Sequence, residues 1–237
     1  MIISLLTAFA LPVLIWFLWY KIAGYNQNTL LIAQLAIFLG AAVLAVTFSR
    51  DIGQLGLNGS NLLKALAVLL FSYVIIYAAG FLVNYVLATD VALLRQNYSW
   101  SGFLDNWLLT GFGEELLFAG VLFSLVSKKM SGKKRWLCIL IVALLFALWH
   151  LPGYIATGRQ IGSIIGRLAL NTVSWIIFGA IYALSGNLWL VAMAHGSTDY
   201  PLVPLITNQP VFGVIFMALL VAGAWFTNRS AVGKSLK

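Results

Sequence analysis

The stretch GFGEELLFAG, residues 111–120, places two adjacent carboxylates, Glu114 and Glu115, inside an apolar run of helical length. An acidic side chain in a membrane span almost always faces the protein interior or a water-filled cavity. The chain has only six acidic residues, and two of them lie here. We therefore expect the rest of the chain to fold around this pair, and the pair to mark a functional site.

The composition indicates a polytopic membrane protein. Hydrophobic residues make up 62% of the 237 residues and charged residues 8%, whereas soluble domains have roughly 45–50% apolar and 25% charged residues. The apolar runs are each about 17–25 residues long, which suits helices that cross a bilayer and not the short strands of an outer-membrane barrel. We predict an all-α fold of about eight transmembrane helices with an intramembrane polar site.

The predicted spans cover residues 1–237 as a single integral membrane domain. Pro152 is expected to end the fifth span at Leu151, because the residue before a proline disfavours helix. The spans are Ile2–Tyr20, Leu30–Phe48, Asn61–Leu87, Phe103–Val126, Trp136–Leu151, Ile161–Leu184, Leu188–Ile206 and Val211–Phe226.

Loop charge predicts the orientation. If the N-terminus is cytoplasmic, the inner segments hold ten basic residues and the outer segments hold four. The positive-inside rule then places both termini in the cytoplasm. Because topology accounts for the basic residues, we expect the lipid bilayer as the surrounding partner and no nucleic acid. Small size and the lack of targeting or retention signals favour a bacterial plasma membrane, and the oligomeric state is left open.

The only two histidines fall within or at the end of predicted spans. His150 follows Phe146 by four positions and His195 precedes Asp199 by four, so each pair shares one helix face. A carboxylate one turn from an imidazole can fix its tautomer and raise its basicity. Helix depth and tilt permit one shared site with the glutamates without requiring it.

Two carboxylates and two imidazoles in a dry site suit hydrolysis. Glu114 would take a proton from water while an imidazole or a metal stabilises the oxyanion. A proton-coupled transporter with the same residues as a relay is an alternative, and a hydrogen-bonded structural role is the plain interpretation of either histidine alone. If a metal is present, the candidate ligands are Glu114, His150 and His195.

These residues resemble the motifs of the CPBP family of intramembrane proteases, the CAAX-prenyl-protease-like group that includes bacteriocin-immunity-type members of the Abi family. The family pattern is Glu-Glu-x-x-x-Arg, then Phe-x-x-x-His, then His-x-x-x-Asn or Asp, on separate helices. The sequence matches it in order and spacing over residues 103–203, at Glu114-Glu115, at Phe146 to His150 and at His195 to Asp199.

The resemblance implies an endopeptidase that acts on a membrane-associated peptide or protein. In it Glu114 activates the water, His150 and His195 orient it and stabilise the oxyanion, and Asp199 supports His195, with Glu115 completing the set. Members were first described as metalloproteases and later as glutamic proteases, so the resemblance implies no cofactor, with zinc as the alternative.

Position 119 departs from the family pattern, because Ala119 stands where the motif has arginine. Three explanations follow. Glu115 stays protonated, or Arg167 supplies the cation from another helix, or the protein has lost catalysis. A silent homologue would bind and regulate a membrane partner or confer bacteriocin immunity.

Overall fold

The computed structural model describes residues 27–49, 52–87, 99–130, 134–200 and 210–235, with scattered positions between 10 and 24. All regular secondary structure in this part of the chain is helical, which confirms the all-α class. The first predicted span, Ile2–Tyr20, lies mostly outside the described residues.

The main helices agree closely with the predicted spans. They are α1 (Gln27–Ser49), α2 (Gly59–Leu87), α3 (Trp100–Lys129), α4 (Arg135–Ala156), α5 (Ile161–Ser185), α6 (Leu188–Asp199) and α7 (Pro210–Ser235). Within the described ranges α2, α3, α4 and α5 are long and apolar enough to cross a membrane, and α1 and α7 contain shorter apolar stretches. The multi-pass membrane architecture is confirmed, whereas the number of eight spans is not.

Helix α3 is the central helix of the fold. In its most apolar window 72% of the residues are buried, compared with 28% to 44% in the other three spanning helices. The outer helices instead present large apolar side chains, such as Leu63, Phe71 and Leu170, at the surface. Lipid contact accounts for that exposure, whereas in α3 Glu115 is fully buried and Glu114 is 12% exposed.

The backbone of α3 is irregular around the glutamates. It is π-helical over Leu104–Phe112 and again over Leu116–Phe123, and the α-helical turn between them is Gly113–Glu115. π-helical turns are rare and occur frequently at functional sites. The local backbone therefore marks the same position as the buried charges.

The predicted end of the fifth span at Leu151 is wrong, because α4 continues through Pro152 to Ala156. A proline removes only one backbone N–H, and membrane helices tolerate it where neighbouring groups satisfy the freed carbonyl. Thr157 caps the helix, and its N–H donates to the Gly153 carbonyl over 3.0 Å. His150 consequently lies inside a helix that continues for more than a turn.

A tight turn joins α5 to α6. Gly186 ends α5 with a left-handed φ of 61°, which glycine adopts without strain. Asn187 then caps α6, where its side chain accepts a hydrogen bond from the N–H of Leu190 over 3.2 Å. Helix α6 ends at Asp199, and the remainder of the predicted span to Ile206 lies outside the described residues.

Candidate active site

Three helices bring the predicted site residues together. Helix α3 supplies Glu114 and Glu115, α4 supplies His150, and α6 supplies His195 and Asp199. The Glu115 side chain is 0% exposed, and that of Glu114 is 12% exposed. The sequence motifs therefore converge on one buried polar cluster.

Glu115 pairs with His195. Its Oε1 lies 2.8 Å from Nδ1 of His195, and both side chains are buried. On the other side of the ring, Nε2 lies 3.4 Å from Oδ2 of Asp199, which is one-third exposed. The imidazole is thus placed between two carboxylates, with the shorter contact to the more deeply buried one.

Glu114 faces the other histidine at a longer distance. Its Oε2 lies 4.0 Å from Nε2 of His150 and has no hydrogen-bond partner among the described residues. Nδ1 of His150 lies 2.8 Å from the Phe146 carbonyl oxygen, one turn earlier in α4. Each glutamate therefore has its own imidazole, and only the Glu115 pair is in direct contact.

Aromatic rings surround the two imidazoles. Phe178 of α5 stacks on His195 with ring centroids 4.7 Å apart and an interplanar angle of 21°. Phe146 lies between the histidines, 4.7 Å from the His150 ring and 5.8 Å from the His195 ring. Tyr154 stacks on the far side of His150 at 6.1 Å. These rings pack against both imidazoles and limit their movement.

Two glycines allow α3 and α6 to approach closely beside the site. A Cβ atom at Gly111 would lie 2.8 Å from the backbone nitrogen of Gly196, and one at Gly196 would lie 3.0 Å from Cα of Trp107. Small residues at helix crossings permit such backbone contact in membranes. Because Gly111 precedes Glu115 by one turn and Gly196 follows His195, this crossing sets the Glu115 to His195 distance.

Ala119 is fully buried and supplies no polar group to the cluster. Arg167 does not take the place of the motif arginine here: its guanidinium lies over the ring of Tyr154, 5.9 Å from the centroid. Asn171, one turn further, donates to the Tyr154 hydroxyl over 2.9 Å. In the part of the chain that the structure describes, the ion-pair partners of the two glutamates are the two histidines.

Two neighbours of the site, Trp175 and Phe178, were not identified from the sequence. Both are aromatic residues in a long apolar helix, so composition does not distinguish them from ordinary packing residues. Their spacing of three residues, which places them on one face of α5, was the only available signal, and it becomes informative only when the facing helix is known. Both are buried, and Trp175 is fully so.

One family model matches the part of the chain that contains the site. Residues 96–201 match the family model described as type II CAAX prenyl endopeptidase Rce1-like. This part of the chain is therefore similar in sequence to the Rce1-like family. The match covers just under half of the chain, contains all five predicted site residues, and confirms the family resemblance of the three motifs. Comparison with curated proteins and with solved structures gives no match.

Proposed function

We propose that this Rce1-like protein is an intramembrane endopeptidase that hydrolyses a peptide bond in a membrane-associated peptide or protein. The observation that carries the proposal is the position of Glu114 opposite His150. Within the described residues Oε2 of Glu114 is buried without a partner, and it lies 4.0 Å from Nε2 of His150. That distance is too long for a direct hydrogen bond and leaves room for one water bonded to both groups.

Hydrolysis would begin when Glu114 takes a proton from this water while the water oxygen forms a bond to the carbonyl carbon of the scissile peptide. The oxyanion then collapses and the C–N bond breaks. The proton held by Glu114 passes to the nitrogen of the leaving amine, which restores the carboxylate. Burial of Glu114 supports this role, because bulk water has little access to the carboxyl group.

His150 is oriented to act on the reacting atoms. A carbonyl oxygen only accepts hydrogen bonds, so Nδ1 of His150 carries the hydrogen that is donated to Phe146. Nε2 is left facing Glu114, where it accepts a hydrogen bond from the second hydrogen of the same water. We therefore assign orientation of the water to His150.

His195 and Asp199 have a supporting role in this proposal. Both nitrogens of His195 face carboxylates, so the ring holds Glu115 in place. Oxyanion stabilisation by His195 would require Nε2 to leave Asp199, and the 3.4 Å separation makes that contact the weaker of the two. Nε2 of His195 can therefore exchange its contact with Asp199 for a contact with the oxyanion.

The donor set favours a mechanism without a metal. A catalytic zinc site has three protein ligands, and the described residues include no group of three or more His, Cys, Asp or Glu side chains that would hold a metal ion. Of the three candidates, His195 has both nitrogens directed at carboxylates. Of the three, only Glu114 and His150 face each other, across 4.0 Å, with atoms that are not directed at another carboxylate. The proposed steps therefore use water, Glu114 and His150.

An apolar groove supports a membrane-associated substrate. It has a volume of about 860 Å³ and lies between α5 and α7, from Ile177 to Trp225, with Thr198 of α6 in its wall. The Thr198 hydroxyl donates to the His195 carbonyl over 2.7 Å, so the wall of the groove includes the helical turn that follows His195. We propose that the apolar flank of the substrate lies in this groove.

A catalytically silent homologue that binds and regulates a membrane partner is the second candidate. Ala119 is the observation that favours it, because the motif arginine is absent and the position is fully buried. The two candidates differ in one result: a folded, purified protein either cleaves membrane peptides or does not.

Cleavage of a membrane-peptide library by the purified protein in detergent is expected to be unaffected by a strong chelator. The physical reason is that a catalytic zinc needs three protein ligands, and no group of three His, Cys, Asp or Glu side chains that could hold a metal ion occurs among the described residues. Product formation is measured by mass spectrometry with and without chelator. Loss of cleavage that added zinc restores would contradict the metal-free mechanism, and no cleavage by the folded protein would favour the silent homologue.

Asp199→Asn is expected to lower kcat by less than about tenfold, because it alters only the longer and partly exposed contact of His195. An amide keeps the shape of the side chain and still accepts a hydrogen bond from Nε2. Glu115→Gln is the matched variant at the shorter contact and is expected to lower kcat more. The reverse order would contradict the assignment of Glu115 as the main partner of His195.

A further inference from the structure

The second oxygen of Glu115 lacks the partner that its burial demands. Oε1 contacts His195, but Oε2 has no hydrogen-bond partner among the residues that the structure describes. The side chain is 0% exposed, and a buried carboxylate is costly unless its oxygens are hydrogen-bonded. In the family motif an arginine stands one turn further, where this chain has Ala119. A donor from another helix is needed.

Helix α5 carries a buried donor that lacks a partner. Nε1 of Trp175 is buried and has no hydrogen-bond partner within the described ranges. Trp175 precedes Phe178 by one turn, and Phe178 stacks on the same His195 ring that Glu115 contacts. The indole also lies 6.5 Å from the ring of Phe146, the other aromatic neighbour of His195. Trp175 therefore belongs to the aromatic cluster around the imidazole that Glu115 contacts.

The packing of the indole fixes its position. Trp175 is 0% exposed, and a Cβ atom at Gly179 would lie 2.7 Å from its Cζ3. The ring consequently lies directly against the backbone of the next turn of α5. The indole N–H and Oε2 of Glu115 are both buried, and both lack a hydrogen-bond partner among the described residues.

We propose that Trp175 is a positioning residue whose indole N–H serves Oε2 of Glu115 in place of the arginine that is absent at Ala119. A neutral donor holds the carboxylate without adding a cation beside His195, so the Glu115 to His195 pair is kept. Glu114 then remains free to act on water. The catalytic consequence of this role rests on the proposed endopeptidase function, whereas the contact itself does not.

The kinetic test removes the N–H and keeps the ring. Trp175→Phe is expected to lower kcat about tenfold, the size of one lost hydrogen bond to a charged group, with KM unchanged because Trp175 does not face the groove. Adding Ala119→Arg to Trp175→Phe is expected to recover most of kcat. Trp189→Phe is the matched control, since within the described residues its buried indole N–H also lacks a partner, and it is expected to leave kcat unchanged.

A stability cycle tests the contact without any activity measurement. Trp175→Phe is introduced into the wild-type protein and into Glu115→Met, and Tm is measured in detergent. Trp175→Phe is expected to lower Tm by about 3 °C more in the wild-type background, because only there does loss of the indole N–H leave a carboxylate oxygen without its donor.

Equal Tm shifts in the two backgrounds would overturn the proposal, as would a folded double variant with Ala119→Arg that recovers no kcat. If Ala119→Arg does not fold, the stability cycle decides. If no variant cleaves any peptide, the proposed function fails, and the cycle still decides whether Trp175 holds Glu115.

Discussion

Glu114→Gln is expected to lower kcat for peptide cleavage by about 10³-fold while the protein keeps its fold, because this is the range that a general base contributes. The amide has nearly the shape of the carboxyl group but cannot take a proton from water. Oε2 of Glu114 has no partner in the described part of the chain, so the substitution breaks no direct hydrogen bond there. Cleavage is measured under single-turnover conditions, and folding is checked by thermal unfolding in detergent.

Asp105→Asn is the matched control for this prediction. Asp105 is the other acidic residue of α3, it is partly buried, and its Oδ1 likewise has no partner among the described residues. Its replacement is expected to change kcat by less than about twofold, because Asp105 lies more than two turns from Glu114. Comparable losses in both variants would mean that any charge change in α3 impairs the protein, and the general-base role would be contradicted.

The fold was largely predictable because the bilayer restricts the choice. A chain in hydrocarbon must satisfy its backbone internally, so long apolar runs become helices. The prediction of Ile161–Leu184 agrees with α5 at Ile161–Ser185, and that of Asn61–Leu87 agrees with α2 at Gly59–Leu87. The lateral arrangement was not predictable: nothing in the apolar pattern indicates that α3 is central or that its turns on both sides of the glutamates are π-helical.

The sequence predicted which residues form the site, but it did not predict which histidine each glutamate faces. Order and spacing selected Glu114, Glu115, His150, His195 and Asp199, and the structure brings these side chains together. Adjacent residues in a helix point about 100° apart, so the two glutamates face different neighbours. Which imidazole each meets depends on where α4 and α6 lie around α3, which sequence spacing does not encode.

The same limit applies to the replacement for the motif arginine. The sequence shows that Ala119 lacks a cation, and it offers Arg167 as the nearest charged candidate in a later span. The structure places Arg167 over Tyr154 and buries a neutral indole, that of Trp175, in the aromatic cluster around His195. A tryptophan in an apolar helix gives no sign of a polar role until the facing side chain is known.

Gly111→Ala is expected to lower Tm by about 3–8 °C and to lower kcat by about 10²-fold. The added Cβ would lie 2.8 Å from the backbone nitrogen of Gly196 and 3.0 Å from the carbonyl oxygen of Ala192. Backbone atoms cannot rotate away, so α3 and α6 must separate, at the cost of an overpacked core. Separation would lengthen the 2.8 Å contact between Glu115 and His195, and small displacements in an active site reduce rates steeply.

Gly120→Ala separates this effect from helix propensity. Alanine favours helix by about 1 kcal/mol over glycine, so propensity alone predicts that both substitutions stabilise α3. At Gly120 the nearest atom to the added Cβ is Cδ1 of Leu116 at 3.5 Å, an ordinary contact. Gly120→Ala is therefore expected to keep or raise Tm and to keep kcat. If Gly111→Ala behaves like Gly120→Ala in both measurements, the close crossing of α3 and α6 does not set the geometry of the site.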